Sequence, residues 1–164
     1  MSIRFGILTL SDRSSRGERE DLSGPALARL IQAEGWSVAE QTVLPDDETT
    51  IRKTLIEWSD DKKLDVILTT GGTGFSPRDV TPEATLAVID RQAPGLAEAM
   101  RAESLNITPH AMLSRVVAGI RKRTLIVNLP GSPKGATENL QVVLPVLPHA
   151  VQLLKNDPGS EAAH

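Results

Sequence analysis

Short apolar runs alternate along this chain with segments of helical period, and that alternation predicts the fold before any single residue does. Residues 3–10 (Ile-Arg-Phe-Gly-Ile-Leu-Thr-Leu) read as a first buried strand, ending in a polar loop, Ser11-Asp12-Arg13-Ser14-Ser15-Arg16-Gly17. Ser23 reads as an N-cap with Gly24-Pro25 behind it, opening a helix whose apolar face includes Leu27, Leu30 and Ile31 and which Gly35 stops. Residues 37–44 alternate loosely, as a second strand does, and lead into Pro45-Asp46-Asp47. Asp47 or Thr49 caps a helix over 49–60 that turns Ile51, Leu55 and Trp58 inward.

The middle of the chain carries the sharpest signal. Val66-Ile67-Leu68 suits a strand buried on both faces, and it breaks into Thr69-Thr70-Gly71-Gly72-Thr73-Gly74. Thr81 then reads as an N-cap, Pro82 as the first helical residue, and Glu83 suits the positive end of the helix dipole. Helices are expected from there to 90 and over 94–104, then a helical turn over 109–113. Strands follow over 115–120 and 124–129, joined tightly at Arg121-Lys122-Arg123. A second tight loop, Pro130-Gly131-Ser132-Pro133-Lys134-Gly135, opens a helix with Ser132 as cap and Pro133 at its first position. A last helix covers 146–154, and residues 156–164 are expected to be a disordered polar tail.

Strands alternating with helices give an α/β fold with a mostly parallel sheet, in one domain over 3–154. Four loops, 11–17, 45–47, 71–81 and 130–135, follow strands. Ligands in open sheets bind beyond the carboxyl ends of the strands, so these loops are expected to share one site.

Composition narrows the chemistry. The 164 residues suit one domain, which buries about 68–70% of the unfolded surface at this size. A net charge of −3 and only four aromatics (Phe5, Trp36, Trp58, Phe75) argue against a nucleic-acid surface. The absence of cysteine excludes disulfides and thiolate chemistry and fits a reducing compartment. His110, His149 and His164 show no ligand spacing. The opening apolar run is too short for a signal peptide's core, and no stretch reaches membrane-spanning length, so a cytoplasmic protein is expected.

Three glycines in the 71–74 turn remove the side chains that would keep a ligand from the backbone, and such a turn can aim N–H groups at an anion. The spacing is neither the dinucleotide fingerprint nor a Walker A loop. A tight turn without a ligand explains the glycines alone; a phosphate site explains them together with Ser76, Arg78, Asp79 and a helix start. A lone carboxylate beside a phosphate would repel it, and magnesium resolves that conflict by bridging carboxylate and phosphate oxygens. Asp46 and Asp12 are the other carboxylates on loops at this edge, while Asp47 reads as a cap first. Lys134 offers a point charge for phosphate or merely decorates a helix start. Ser114 suits a buried hydrogen bond, and Met100 and Met112 suit packing.

Residues 69–74, the run Ser76-Pro-Arg-Asp-Val-Thr-Pro-Glu-Ala84, and Asn128-Leu-Pro-Gly-Ser-Pro133 closely resemble the molybdopterin adenylyltransferase family of molybdenum cofactor biosynthesis. Ser11-Asp12 and Glu20-Asp21-Leu22-Ser23-Gly24 are similar to its N-terminal signature, and the likeness runs from residue 3 to about 154. It implies a three-layer αβα sandwich that forms homotrimers and transfers AMP from Mg-ATP to the terminal phosphate of molybdopterin. The family's two important aspartates match Asp46, which Pro45 selects over Asp47, and Asp79. These are the expected catalytic and magnesium-binding residues. Ser114, in a Leu-Ser-Arg motif, matches a serine linked to pterin binding. Around nucleotide and pterin the resemblance and the loops together place Ser11, Asp12, Gly71, Gly72, Thr73, Gly74, Ser76, Arg78, Thr81, Ser114, Pro130, Gly131, Ser132 and Lys134. Hand-over of product to a molybdate-insertion enzyme is a further expectation. Two other classes stay open: a sibling that binds or carries molybdopterin without chemistry, and a structural trimer with vestigial loops.

Overall fold

The computed structural model describes residues 2–156. Six strands, β1 (Arg4–Leu10), β2 (Ser37–Leu44), β3 (Val66–Thr70), β4 (Arg91–Gln92), β5 (Ala118–Arg121) and β6 (Thr124–Leu129), form one sheet in the order β2-β1-β3-β6-β5-β4. β2, β1, β3 and β6 are parallel, and β5 and β4 add an antiparallel edge. The parallel strands sit where the apolar runs place them, since a strand covered on both faces needs no alternation. All five residues of β3 are buried, as are all six of β6.

Alternate side chains of these strands enter opposite cores. Phe5, Ile7, Val66, Leu68, Leu125, Val127 and Leu129 pack on one face. Against them lie α2 (Ser23–Ala33), α5 (Pro94–Leu105), α6 (Pro133–Val143) and α7 (Leu147–Leu154), through Leu27, Ile31, Met100, Leu140 and Val151. Leu8, Leu10, Ile67 and Ile126 pack on the other face, against α3 (Glu48–Asp60) and α4 (Thr81–Val88) through Leu55, Trp58 and Val88. The result is the expected three-layer α/β sandwich.

Several boundaries differ from the sequence reading, and at Ser23 and Arg115 the reason is a distant partner that outbids a local one. Residues 11–17 hold a one-turn helix, α1 (Asp12–Ser15), whose cap Ser11 accepts from the Ser14 N–H at 3.1 Å. Ser23 does not cap α2: its hydroxyl donates to the Gly131 carbonyl at 2.7 Å, and Asp21 Oδ1 accepts from the Gly24 N–H instead. Nor does Thr81 cap α4, because it is the first helical residue, its N–H donates to the Gly72 carbonyl, and its hydroxyl is buried without a partner. The strand expected over 115–120 begins only at Ala118, since the Arg115 N–H goes to the Thr73 carbonyl. The last helix starts one residue late, after a 3-10 turn over Leu144–Val146. Met112, expected to pack, is 66% exposed. The expected tail lies outside the described residues except Asn156, whose N–H closes on the Leu153 carbonyl.

Candidate functional site

The carboxyl ends of β1, β2, β3 and β6 lie side by side, so the four loops that follow them meet at one edge of the sheet. Each loop is fastened there. Asp12 and Asp46 exchange bonds: the Asp12 N–H donates to Asp46 Oδ2 at 3.2 Å and the Asp46 N–H to Asp12 Oδ1 at 3.0 Å. The Thr70 hydroxyl donates to the Pro130 carbonyl at 2.7 Å, which ties the second glycine-containing loop to the end of β3. Ser132 caps α6 by accepting from the Gly135 N–H.

Gly71 and Gly72 hold φ values of +102° and +65°, the region open to glycine. A Cβ at Gly71 would stand 2.3 Å from the Leu10 carbonyl oxygen. At Gly72 it would stand 2.4 Å from Thr81 Oγ1 and 2.8 Å from Asp46 Oδ1. The glycines thus let the loop lie against β1 and against Asp46.

Two cavities flank this loop. One, of about 340 Å³, is lined by Ser11, Ser14, Asp46, Gly71 and the 19–23 stretch. The other, of about 470 Å³, is lined by Thr73, Gly74, Arg101, His110, Ser114 and Glu138. Gly72, Asp79, Gly131 and Ser132 line both. The loops therefore enclose two binding spaces that meet along these four residues.

The electrostatics of the edge are uneven. Asp46 has its pKa raised above the usual carboxylate value, first by burial and then by the neighbouring charges of Asp12 and Asp79. Its Oδ1 is buried without a hydrogen bond. Asp12 is held low by Arg78, whose Nε and Nη2 donate to the carboxylate at 2.9 and 3.0 Å. Arg78 pairs with Asp12 and not with its neighbour Asp79. Asp79 Oδ2 accepts from the Ser76 N–H at 3.1 Å.

Of the residues singled out in the sequence, Ser11, Asp46, Gly71, Gly72, Thr73, Gly74, Asp79, Ser114, Pro130, Gly131 and Ser132 line one or both cavities. Asp12, Ser76, Arg78 and Thr81 are outside that lining: Thr81 is buried beneath the loop, while the exposed Ser76 and Arg78 hold the loops through Asp79 and Asp12. Lys134 is not part of the lining: its side chain is 80% exposed, with its Nζ 3.9 Å from Glu138. Sequence reasoning missed Asp21, Arg101, His110 and Glu138, which sit on the cavity walls. It also passed over Arg115, whose place beside Ser114 in the Leu-Ser-Arg motif was the available signal.

A parallel sheet carrying glycine loops and carboxylates at its carboxyl edge defines a domain built to hold anionic ligands at the strand ends. The family model described as "Probable molybdopterin binding domain" matches residues 6–149, and the chain belongs to that family. It is 48% identical over 94% of its length to gephyrin of Dictyostelium discoideum, of which it spans 23%. Molybdopterin adenylyltransferase of Helicobacter pylori is 43% identical, over 93% of this chain and 88% of that one. Among solved structures, the molybdopterin biosynthesis enzyme MoaB of Thermus thermophilus superposes with a TM-score of 0.90 at 54% identity, over 95% and 98% of the two chains.

Proposed function

We propose that this chain is a molybdopterin adenylyltransferase of molybdenum cofactor biosynthesis, with residues 3–154 acting as one molybdopterin-binding domain. The observation that carries the reading is the pair of cavities meeting along Gly72, Asp79, Gly131 and Ser132, because a transfer needs two substrates in contact. The similarity to the Helicobacter pylori adenylyltransferase along nearly the whole of both chains supports it.

In this reading ATP lies with its phosphates over the glycine loop, on the side of Ser11 and Asp46, and the pterin lies on the side of Ser114. The terminal phosphate of molybdopterin attacks the α-phosphorus. The bond from that phosphorus to the bridging oxygen breaks, and pyrophosphate leaves in line. The attacking oxygen is already anionic near neutral pH, so no general base is needed. Loop N–H groups from 72–74 offset charge as it develops, the Gly71 N–H being spent on the Leu129 carbonyl, and Arg78 adds a cation at the rim if it exchanges Asp12 for phosphate.

Magnesium fits this donor set. Asp46 and Asp79 are hard oxygen ligands on the wall of one cavity, and Asp46 Oδ1 is buried without a partner. Among the described residues no group of three acidic or histidine side chains could hold a metal ion by itself. That suits magnesium, which takes one or two carboxylates and completes its shell with phosphate and water. When bound, the ion would neutralise the triphosphate and stabilise the leaving pyrophosphate.

A homotrimer in the cytoplasm, passing its product to a molybdate-insertion enzyme, completes the reading. The exposed Ile107, Met112 and Leu113 offer apolar surface for the trimer, which sedimentation would measure. No helix among the described residues is long and apolar enough to cross a membrane. The carrier reading predicts pterin binding without chemistry.

The test is pyrophosphate release from Mg-ATP with and without molybdopterin, with Asp79→Asn alongside. Release that requires the pterin, and falls about 10²–10³-fold in the variant while pterin affinity stays within about threefold, is the expected result. Tight pterin binding by the wild type without release would make the chain a carrier. Equal loss of turnover and affinity in the variant would remove Asp79 from the chemistry.

A further inference from the structure

Arg115 lines neither of the two cavities, yet it donates three hydrogen bonds to carbonyls of the central loop. Its N–H donates to the Thr73 carbonyl at 2.8 Å. Its Nε donates to the Gly74 carbonyl at 2.7 Å and its Nη2 to the Asp79 carbonyl at 2.9 Å. The far side of the guanidinium is held by Glu83, with Nη1 and Nη2 donating to the carboxylate at 2.7 and 3.2 Å. That pair raises the arginine's pKa and lowers the glutamate's.

These contacts have a common geometry. Gly74 and Asp79 are the two ends of a six-residue excursion, and one planar cation bonds both carbonyls. Inside the excursion the Ser76 N–H donates to Asp79 Oδ2 and the Asp79 N–H donates to the Ser76 carbonyl, at 3.1 and 2.9 Å. The turn is closed internally by Asp79 and pinned externally by Arg115. Glu83 comes from α4, the helix that the loop runs into, so it fixes the guanidinium plane relative to the same element. A lysine could reach one of these acceptors, but its ammonium lacks the fixed fork that serves three at once.

We propose that Arg115 is the positioning residue for Asp79, setting where that carboxylate stands on the wall shared by the two cavities, with Glu83 orienting Arg115. The inference rests on the adenylyltransferase reading for its kinetic consequence and on the hydrogen-bond geometry alone for its structural one. Arg115 touches neither substrate in this arrangement, so its loss displaces Asp79 without removing a ligand contact. A displacement of about 1 Å at a reacting centre costs about 10²-fold in rate.

The experiment pairs Arg115→Lys with Glu83→Gln and reads three quantities on each. Steady-state pyrophosphate release gives kcat and KM for Mg-ATP, hydrogen exchange gives protection amide by amide, and urea unfolding reports the fold. The expected result for Arg115→Lys is a fall in kcat of about 10²-fold with KM changed less than about threefold. Protection should fall at the Ser76 and Asp79 amides and stay intact in β3 and β6. Glu83→Gln should show a smaller loss of the same kind, and combining the two should cost no more than Arg115→Lys alone, because Glu83 acts through Arg115. Wild-type kcat with wild-type protection in Arg115→Lys would overturn the proposal. So would a loss of protection spread through the sheet with the folded fraction still fully active, the mark of a purely structural residue. If the wild type releases no pyrophosphate, the transferase reading fails by itself, and the exchange pattern alone decides whether Arg115 sets Asp79.

Discussion

Gly71 and Gly72 are adjacent and both glycine, but replacing each by alanine should fail in different ways. At Gly71 the new methyl meets a backbone atom, the Leu10 carbonyl oxygen at 2.3 Å, in a central strand that cannot move aside. Its φ of +102° adds backbone strain of about 1–3 kcal/mol. Overpacking against a fixed neighbour adds about 1–3 kcal/mol more. Together these remove about 2–6 kcal/mol from a total that is about 5–15 kcal/mol for a domain. At Gly72 the methyl meets side-chain atoms, chiefly Thr81 Oγ1 and Asp46 Oδ1, and no backbone. The left-handed φ of +65° costs about 1–2 kcal/mol, offset by about 0.4–1 kcal/mol from the stiffer unfolded chain.

Urea unfolding separates the two. With a slope of about 2 kcal/mol/M, Gly71→Ala should lower the midpoint by about 1–3 M and Gly72→Ala by about 0.5 M. Pyrophosphate release should then show the opposite ranking per folded molecule. Gly72→Ala pushes Asp46 off its position and should lose about 10²-fold, the cost of a displaced catalytic group. A Gly71→Ala midpoint indistinguishable from wild type would refute the close packing of the loop on β1. A Gly72→Ala protein with full turnover would refute the part given to Asp46.

The remaining expectations concern charge and cavity shape. Asp46 has a raised pKa, so its ionised form is disfavoured in the fold; Asp46→Asn should stabilise the protein at pH 7 while lowering turnover, and each 1 kcal/mol gained would raise Tm by about 2–4 °C. A lower Tm in that variant would contradict the burial argument. Asp60 is the reverse case, held below its ordinary 3.8 by the bidentate Arg121. Its stabilisation is present above the unfolded pKa and is lost as pH falls through the lower folded value, so Asp60→Asn should narrow the difference between urea midpoints at pH 7 and pH 3. An unchanged difference would remove Asp60 from the acid response. Ser114→Tyr fills the larger cavity and should weaken molybdopterin binding at least about tenfold in a titration, leaving ATP binding within about twofold; equal losses would mean that the two cavities do not divide the substrates.

How legible the molecule was depended on the distance to each residue's partner. Asp47 and Ser132 cap α3 and α6 as their sequence positions suggest, because a cap reaches only three residues ahead, to the Thr50 and Gly135 N–H groups. The buried strands were equally plain, since burial on both faces leaves a continuous apolar run. Ser23 and Thr81 carry the same capping signature and do something else. The Ser23 hydroxyl crosses 108 residues of sequence to Gly131, and Thr81 is sealed under Gly72. β4 escaped notice because Arg91 and Gln92 are both exposed and have no apolar pattern to read. At the site, the loops and both aspartates were legible from glycine spacing and strand ends. The work of their supports was not: Asp21 and Arg115 stand inside quoted motifs, but the hydroxyl, amide and carbonyls they bind come to them only through the fold.

In the proposed reading, the shared wall of the two cavities is what separates group transfer from mere holding. A carrier needs one space that fits its cargo, and Asp79 on that wall would only repel a phosphate. Here the same four residues face both spaces, and the loop that carries the carboxylate among them is braced from two directions. Arg78, from the loop itself, reaches across to Asp12, while Arg115 grips the loop from behind. Asp12 in turn exchanges backbone bonds with Asp46, the carboxylate whose free oxygen is buried. The three acids at this edge are thus held together although burial of Asp46, and after it the repulsion of Asp12 and Asp79, raises the Asp46 pKa and works against the folded state. A fold tolerates such a cost where the strained groups serve chemistry. In that reading two anionic substrates meeting over these carboxylates would need a cation between them, and Asp46 and Asp79 would offer it oxygen ligands on the wall where the reacting phosphates come together.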